Sequence, residues 1–251
     1  MTSIQQTLAG LRSLRCSGMA DAYDQQLNQP NIWLNQSFDD RISALVEQEL
    51  STREHRRLRR LITNARFPES AHLEDFDTRA KRGINESLLA SLATCEWVKR
   101  QQNLFIIGAT GLGKSWLGIA LSMEVCRKGL PAIYVSSSEL WYDIATAAAD
   151  GSLAQLKARL QQPALLMIDD LGSGKIPVQA AQVLLEVLDR RVRTGSILIT
   201  SQYPVDHWHG LFPDPTMADA ILDRIVHQAH RIELKGESMR KVYARKRMQA
   251  T

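Results

Sequence analysis

Cysteine is scarce in this chain. Its 251 residues hold three, Cys16, Cys95 and Cys126, an odd number and widely scattered. They form no CxxC pair and no disulfide framework, which excludes a stapled secreted scaffold and fits a reducing compartment. Long apolar runs are missing too. None approaches the ~18 residues that a membrane span needs. The opening MTSIQQTLAGLRSL lacks the basic-then-apolar shape of a secretion signal. The expectation is a cytoplasmic protein with no membrane partner. Metal constellations are absent as well: His207 with His209, and His227 with His230, have no cysteine or acidic partner at ligand spacing. The five tryptophans, Trp33, Trp97, Trp116, Trp141 and Trp208, stand apart from the basic runs. They read as packing residues, because a base-stacking platform would interleave them with positive charge. No internal repeat or low-complexity tract is present.

What remains is a chain with 44% hydrophobic residues, enough for a small helical domain beside a medium α/β one. Lys and Arg number 31 against 27 Asp and Glu, a net charge of +4. So mild an excess makes placement matter more than the sum. Residues 1–66 read as a helical N-terminal domain with one internal proline, Pro30. Apolar Ile42, Leu45, Val46, Leu50, Leu58, Leu61 and Ile62 recur there mostly at helical spacing. Arg53, Arg56, Arg57, Arg59 and Arg60 crowd the second half of that run, opposed by Glu54 alone. From residue 67 to 85 the periodicity loosens around Pro68 and Gly83, which reads as a linker.

Residues 86–251 change rhythm. Short apolar runs at 103–107, 131–135, 164–168, 196–200 and 230–234 are separated by stretches long enough for helices. Strands alternating with helices predict an α/β fold: a parallel five-stranded sheet with flanking helices, preceded by the small all-α domain. After the first strand stands GATGLGKS, a complete G-x-x-x-x-G-K-[ST] phosphate loop of Gly108, Ala109, Thr110, Gly111, Leu112, Gly113, Lys114 and Ser115. The glycines let backbone N–H groups turn toward phosphate oxygens. Lys114 brings positive charge to the β and γ phosphates, and the Ser115 hydroxyl can ligate Mg²⁺. ATP with Mg²⁺ is therefore the expected cofactor pair. A second fragment, GSGK at 172–175, has the wrong spacing and reads as an ordinary loop.

LLMIDDLG at 165–172 ends a buried strand on two carboxylates. Asp169 can complete the Mg²⁺ shell opposite Ser115, usually through water. Asp170 is the candidate to orient or activate the attacking water. Strand parity would send the two side chains opposite ways. The fourth strand ends SILITSQYP, and Gln202 would lie beside the γ-phosphate if that strand neighbours the first. Arg224, in ILDRIVHQ, and Arg240, in GESMRK, could stabilise charge that develops in phosphoryl transfer.

The ordered set GATGLGKSWLGIAL, LLMIDDLG, ITSQYPVDHWHGLF, ILDRIVHQAHRIELKGESMRK and SFDDRISALVEQELSTREHRRLRRL resembles IstB, the ATP-binding helper of insertion-sequence transposases. That family is similar to the helicase loader DnaC, and both are AAA+ P-loop NTPases. The resemblance runs from about residue 5 to 245. It implies that Arg224 is an arginine finger acting in trans, that Arg240 matches a second sensor arginine, and that ATP lies at subunit interfaces of a homo-oligomer. It implies duplex DNA and a transposase as partners, with helicase loading, or an ATP-binding scaffold of negligible turnover, as the alternatives. Gln202 stands where Asn is frequent, and Asp170 where Glu is frequent. The missing methylene shortens reach by roughly 1.3 Å, comparable to the ~1 Å misplacement that can cost ~10²-fold in rate, which predicts slow hydrolysis.

The run REHRRLRR and the tail RKVYARKR supply clustered charge suited to phosphate contacts, without a base-reading motif. Arg53, Arg56, Arg57, Arg59 and Arg60 are thus candidate DNA contacts. Lys157, Arg159 and Lys175 are candidates for the inner surface of a ring or spiral.

Overall fold

The computed structural model describes residues 3–78, 82–227, 229–239, 241 and 245. The chain divides into two compact units, Met1–Arg60 and Leu61–Thr251.

The first unit is helical: α1 (Ser3–Ser13), α2 (Ser17–Asn28), the single turn α3 (Pro30–Trp33) and most of α4 (Phe38–Ala65). α4 starts on a local capping arrangement in which the Asp40 N–H donates to Ser37 Oγ and the Ser37 N–H to Asp40 Oδ2. α2 lies close against α4. A Cβ added to Gly18 would fall 2.7 Å from the Gln48 carbonyl oxygen, so only glycine permits that approach. Glu49 then reaches back from α4, and its Oε2 accepts the N–H groups of Gly18 (2.7 Å) and Met19 (3.1 Å), orphan donors of the first turn of α2.

The second unit opens with a segment that sequence periodicity assigns to a linker. Its described residues are instead folded: Ala71, Leu73, Phe76 and Ile84 are buried, with a 3-10 turn at Leu73–Asp75. Sparse apolar residues at irregular intervals are invisible to a helical or strand template, yet each finds a socket. α5 (Glu86–Ala93) and α6 (Glu96–Lys99) follow, then β1 (Asn103–Ile107), α7 (Lys114–Arg127), β2 (Ala132–Ser136), α8 (Ser137–Asp150), α9 (Leu153–Gln161), β3 (Leu165–Leu171), α10 (Val178–Arg191), β4 (Ser196–Ser201), α11 (Pro215–Val226) and β5 (Ala229–Glu233).

The sheet has five parallel strands in the order β2-β3-β4-β1-β5. Its central strands are buried on both faces, which explains continuous apolar runs where a half-exposed sheet would alternate. One face, carrying Phe105, Ile133, Leu166, Ile168, Ile197 and Ile199, packs with α8, α9, α10 and α11. Trp208 is fully buried there, its ring 4.8 Å from Phe105. The other face meets α7. A Cβ at Gly118 would lie 2.6 Å from Met167 Cε, so α7 sits tight on the sheet and fixes where its N-terminus points. Arg191, fully buried, ties the amino edge together by donating to the carbonyls of Leu160, Pro163 and Ser196.

Candidate functional site

A cleft of about 400 Å³ opens at the carboxyl ends of β1, β3 and β4, where the reversal of strand order leaves room between neighbouring connections. The phosphate loop forms one wall. Gly113 caps α7 at φ 86°, a left-handed turn that a side chain would resist, and this aims the amino end of α7 into the cleft. Lys114 is 7% exposed. Its Nζ donates to the Ala109 carbonyl at 3.1 Å, spanning the loop from inside. Burial lowers the Lys114 pKa, while Asp170 and Asp169 favour the charged form. The loop is held from behind by backbone bonds: the Gly108 N–H donates to Ser201 O (3.2 Å), and the Met239 N–H to Gly111 O (2.8 Å).

β3 brings both carboxylates to the opposite wall. Asp169 is buried, with Oδ1 accepting from Thr200 Oγ1 (2.5 Å) and Oδ2 from Tyr134 OH (3.1 Å). Burial, then the Asp169 charge, pushes the Tyr134 hydroxyl far above its usual range, so it stays a donor. Strand parity predicts that Asp170 should turn to the other face. It does not, because the β3–β4 register shifts between Ile168 and Leu171 and Asp170 takes a left-handed φ of 56°. Such a bulge re-aims one side chain, and aspartate is among the residues that tolerate this backbone. Asp169 and Asp170 therefore both line the cleft. One hydroxyl links them: Thr200 Oγ1 accepts the Asp170 N–H (2.8 Å) while donating to Asp169.

Gln202 lies beside the loop because β4 pairs with β1. Its Oε1 accepts from Thr110 Oγ1 (2.7 Å), and its Nε2 donates to Asp170 Oδ1 (3.3 Å). The cleft thus brings together Thr110, Gly111, Gly113, Lys114, Ser115, Asp169, Asp170 and Gln202. Among the described residues no group of three or more His, Cys, Asp or Glu could hold a metal ion by itself. Ser115 and Asp169, a hydroxyl and one partly engaged carboxylate, suit a Mg²⁺ that arrives with phosphate oxygens and water as its other ligands.

Arg224 is not at this cleft. The Asn103 side chain donates to Ile225 O and accepts from the Ile197 N–H, both at 2.9 Å. It fastens the end of α11 to the amino edge of the sheet, opposite the phosphate loop. Arg224 there pairs with Asp189 and donates to the Ala220 carbonyl. Arg240 lies outside the described residues. Of the basic candidates, Arg53 pairs with Glu49 and Arg56 donates to Ser17 Oγ, while Arg57, Arg59, Arg60 and Lys175 are exposed. Lys157 and Arg159 are tied to Glu186 (2.7 Å) and Asp143 (2.9 Å), because α9 packs between helices that carry those acids.

Six cleft residues escape motif reading: Glu69, Asp75, Phe76, Arg82, Trp116 and Met239. Trp116 stacks on Phe76, with centroids 6.1 Å apart, where sequence scatter suggested only packing. The one available signal is adjacency, since Trp116 directly follows Ser115.

A family profile described as IstB-like ATP binding protein matches residues 9–249. An insertion sequence ATP-binding protein of Sinorhizobium fredii is 40% identical over 236 residues, 94% of this chain and 95% of that protein. A crystal structure of DnaI superposes with a TM-score of 0.57 at 21% identity, covering 66% of this chain and 91% of that one. The DnaC helicase loader gives a TM-score of 0.54 at 16% identity, covering 66% and 97%.

Proposed function

The chain belongs to the IstB-like ATP-binding family, and from that premise we propose that it is a Mg²⁺-dependent ATPase that assembles on duplex DNA and recruits or activates a transposase. The observation that carries this reading is a divided site. Lys114, Ser115, Asp169, Asp170 and Gln202 share one cleft, while Arg224 stands at the far edge of the same sheet. A guanidinium there can serve a nucleotide only in a neighbouring copy, so ATP promotes assembly.

In this scheme Lys114 and the amino end of α7 bind the phosphates, and Gln202, held between Thr110 and Asp170, stands beside the γ-phosphate. Bound Mg²⁺ would neutralise phosphate charge, with Ser115 and Asp169 on its protein side. Asp170, restrained through Oδ1, orients the attacking water and takes its proton. Arg224 of one copy, and Arg240, offset charge that develops during transfer. The helical unit, with Arg53, Arg56, Arg57, Arg59 and Arg60, contributes DNA contact and assembly, while Lys157 and Arg159 are poor candidates because their charge is already matched. Hydrolysis is slow, so the protein acts as a timer within cytoplasmic transposition.

The test is Lys114→Ala in a DNA-retention assay with and without ATP. ATP-dependent retention should vanish, and nucleotide affinity should fall about a hundredfold. Retention that survives the substitution sinks the reading.

A further inference from the structure

We propose that Arg82 is a nucleotide-binding residue, a second cation for the polyphosphate chain supplied from outside the phosphate loop and held in place by Phe76. The proposal rests on the nucleotide reading of the cleft and adds a contact to it. Arg82 comes from the stretch that sequence periodicity treats as a linker, so neither the motif nor the sheet topology points to it.

Four observations place it. Arg82 is 6% exposed and lines the same cleft as Lys114. Its guanidinium carbon sits 4.0 Å above the centre of the Phe76 ring. Its Nη1 is the nearest atom to where a Cβ on Gly113 would stand, at 3.6 Å, which puts the guanidinium edge beside the loop glycine next to Lys114. It is anchored at both ends, because the Lys235 N–H donates to the Arg82 carbonyl (3.0 Å) and the side-chain Nη2 donates to Asp77 O (2.9 Å). The last bond holds one arm of the fork at Asp77, and Nη1 lies beside Gly113.

The chemistry follows from the shape of the group. A guanidinium is planar and weakly hydrated; it rests flat on an aromatic ring and offers its N–H edge to phosphate oxygens. Phe76 supplies the ring and is itself backed by Trp116 through their stacked pair. The platform therefore sets the plane of Arg82, and the plane sets the direction of Nη1. Lysine would keep the charge and lose that direction. Phe76 is a positioning residue, and Arg82 is the one that touches ligand.

The measurement is equilibrium binding of ATP, ADP and inorganic tripolyphosphate to the full chain, read by Trp116 emission, with Trp116→Phe as the blank. Arg82→Gln should weaken ATP and tripolyphosphate alike, by about ten- to a hundredfold, the loss of one charge-assisted bond to phosphate. Arg82→Lys should recover part of that loss, and Phe76→Leu should fall between native and Arg82→Gln. The slope of affinity against salt should flatten in Arg82→Gln. Unchanged affinity in a variant that melts like the native protein overturns the proposal. So does a loss confined to ATP with tripolyphosphate unaffected, which would make Arg82 a base or ribose contact. Partial rescue by lysine supports a charge contact and counters a folding defect. Should native protein bind none of the three ligands, the nucleotide reading itself fails, whatever Arg82 does.

Discussion

Two buried carboxylates, one in each unit, are held in opposite ways. Glu49 is 6% exposed and receives three donors: the Gly18 and Met19 N–H groups and the Arg53 guanidinium. A carboxylate has roughly four acceptor positions, so Glu49 is nearly saturated. Asp169 is 7% exposed and receives two neutral hydroxyls, from Thr200 and Tyr134. Among the described residues no guanidinium pairs with it, and it lines a cleft with Lys114. Saturation marks a structural role, and a restrained but unsaturated charge marks a site waiting for a ligand. Arg191, surrounded by carbonyls, ties the amino edge of the sheet together, while the Arg82 guanidinium lies beside a glycine of the phosphate loop.

The sharpest way to break the comparison is Asp170→Ala. Loss of the proposed general base should reduce DNA-stimulated phosphate release by about a hundredfold or more, while ATP affinity holds near native. If turnover is unaffected, the carboxylate pair is structural like Glu49, and the scaffold alternative gains.

Arg224→Ala comes next, with an expected loss of about tenfold or more in turnover at near-native nucleotide affinity. Mixing decides whether it works in trans. Arg224→Ala subunits combined with Lys114→Ala subunits should regain activity, because some interfaces then hold one intact cleft and one intact arginine. No recovery at any mixing ratio would count against a shared site.

How much of this the chain revealed by itself depended on distance along it. The phosphate loop is eight consecutive residues, and the five apolar runs came within a few residues of the strands because buried parallel strands leave uninterrupted apolar signatures. Asp169 was placed by adjacency to such a run. The bulge at Asp170 was hidden, since a register shift depends on the partner strand and no glycine announces it. That bulge also supplies a reason for the short side chain: aspartate suits φ 56° better than glutamate. Asp170→Glu should therefore raise turnover through added reach while lowering the melting temperature slightly; a rate no higher than native removes the reach argument. The ion pairs of Lys157 and Arg159 are not legible in the sequence, because the acids that engage them lie 29 and 16 residues away. Phe76 and Arg82 were missed for the same reason, their sockets being formed by segments distant in sequence.

Smaller effects are expected in the helical unit. Changing Arg56, Arg59 and Arg60 together to Gln should weaken duplex binding at low salt and reduce the salt slope by roughly one for each phosphate that no longer meets a guanidinium. Lys157→Ala, already ion-paired, should change it little. Equal losses from both would mean that charge neutralised within the chain still contributes, and the distinction between matched and open cations would fall.

Glu49→Gln should give the smallest and most local change. The Arg53 bond holds the Glu49 carboxyl below its ordinary value, burial opposes, and the two N–H groups of α2 add to the lowering. A carboxyl with a lowered folded-state pKa stabilises the fold above its unfolded value, and that contribution is lost as pH falls through the folded value. The window is therefore acidic, beginning near 4.5 and extending downward. Glutamine keeps an acceptor oxygen but not the charge, so at neutral pH the variant should lose about 1 kcal/mol. Amide exchange at Gly18 and Met19 should quicken, with nucleotide affinity unchanged. Below the window native and variant should converge, because the native carboxyl is then protonated as well. A difference that persists unchanged into acid would show that the carboxylate charge contributes nothing there, and that Glu49 acts through shape alone.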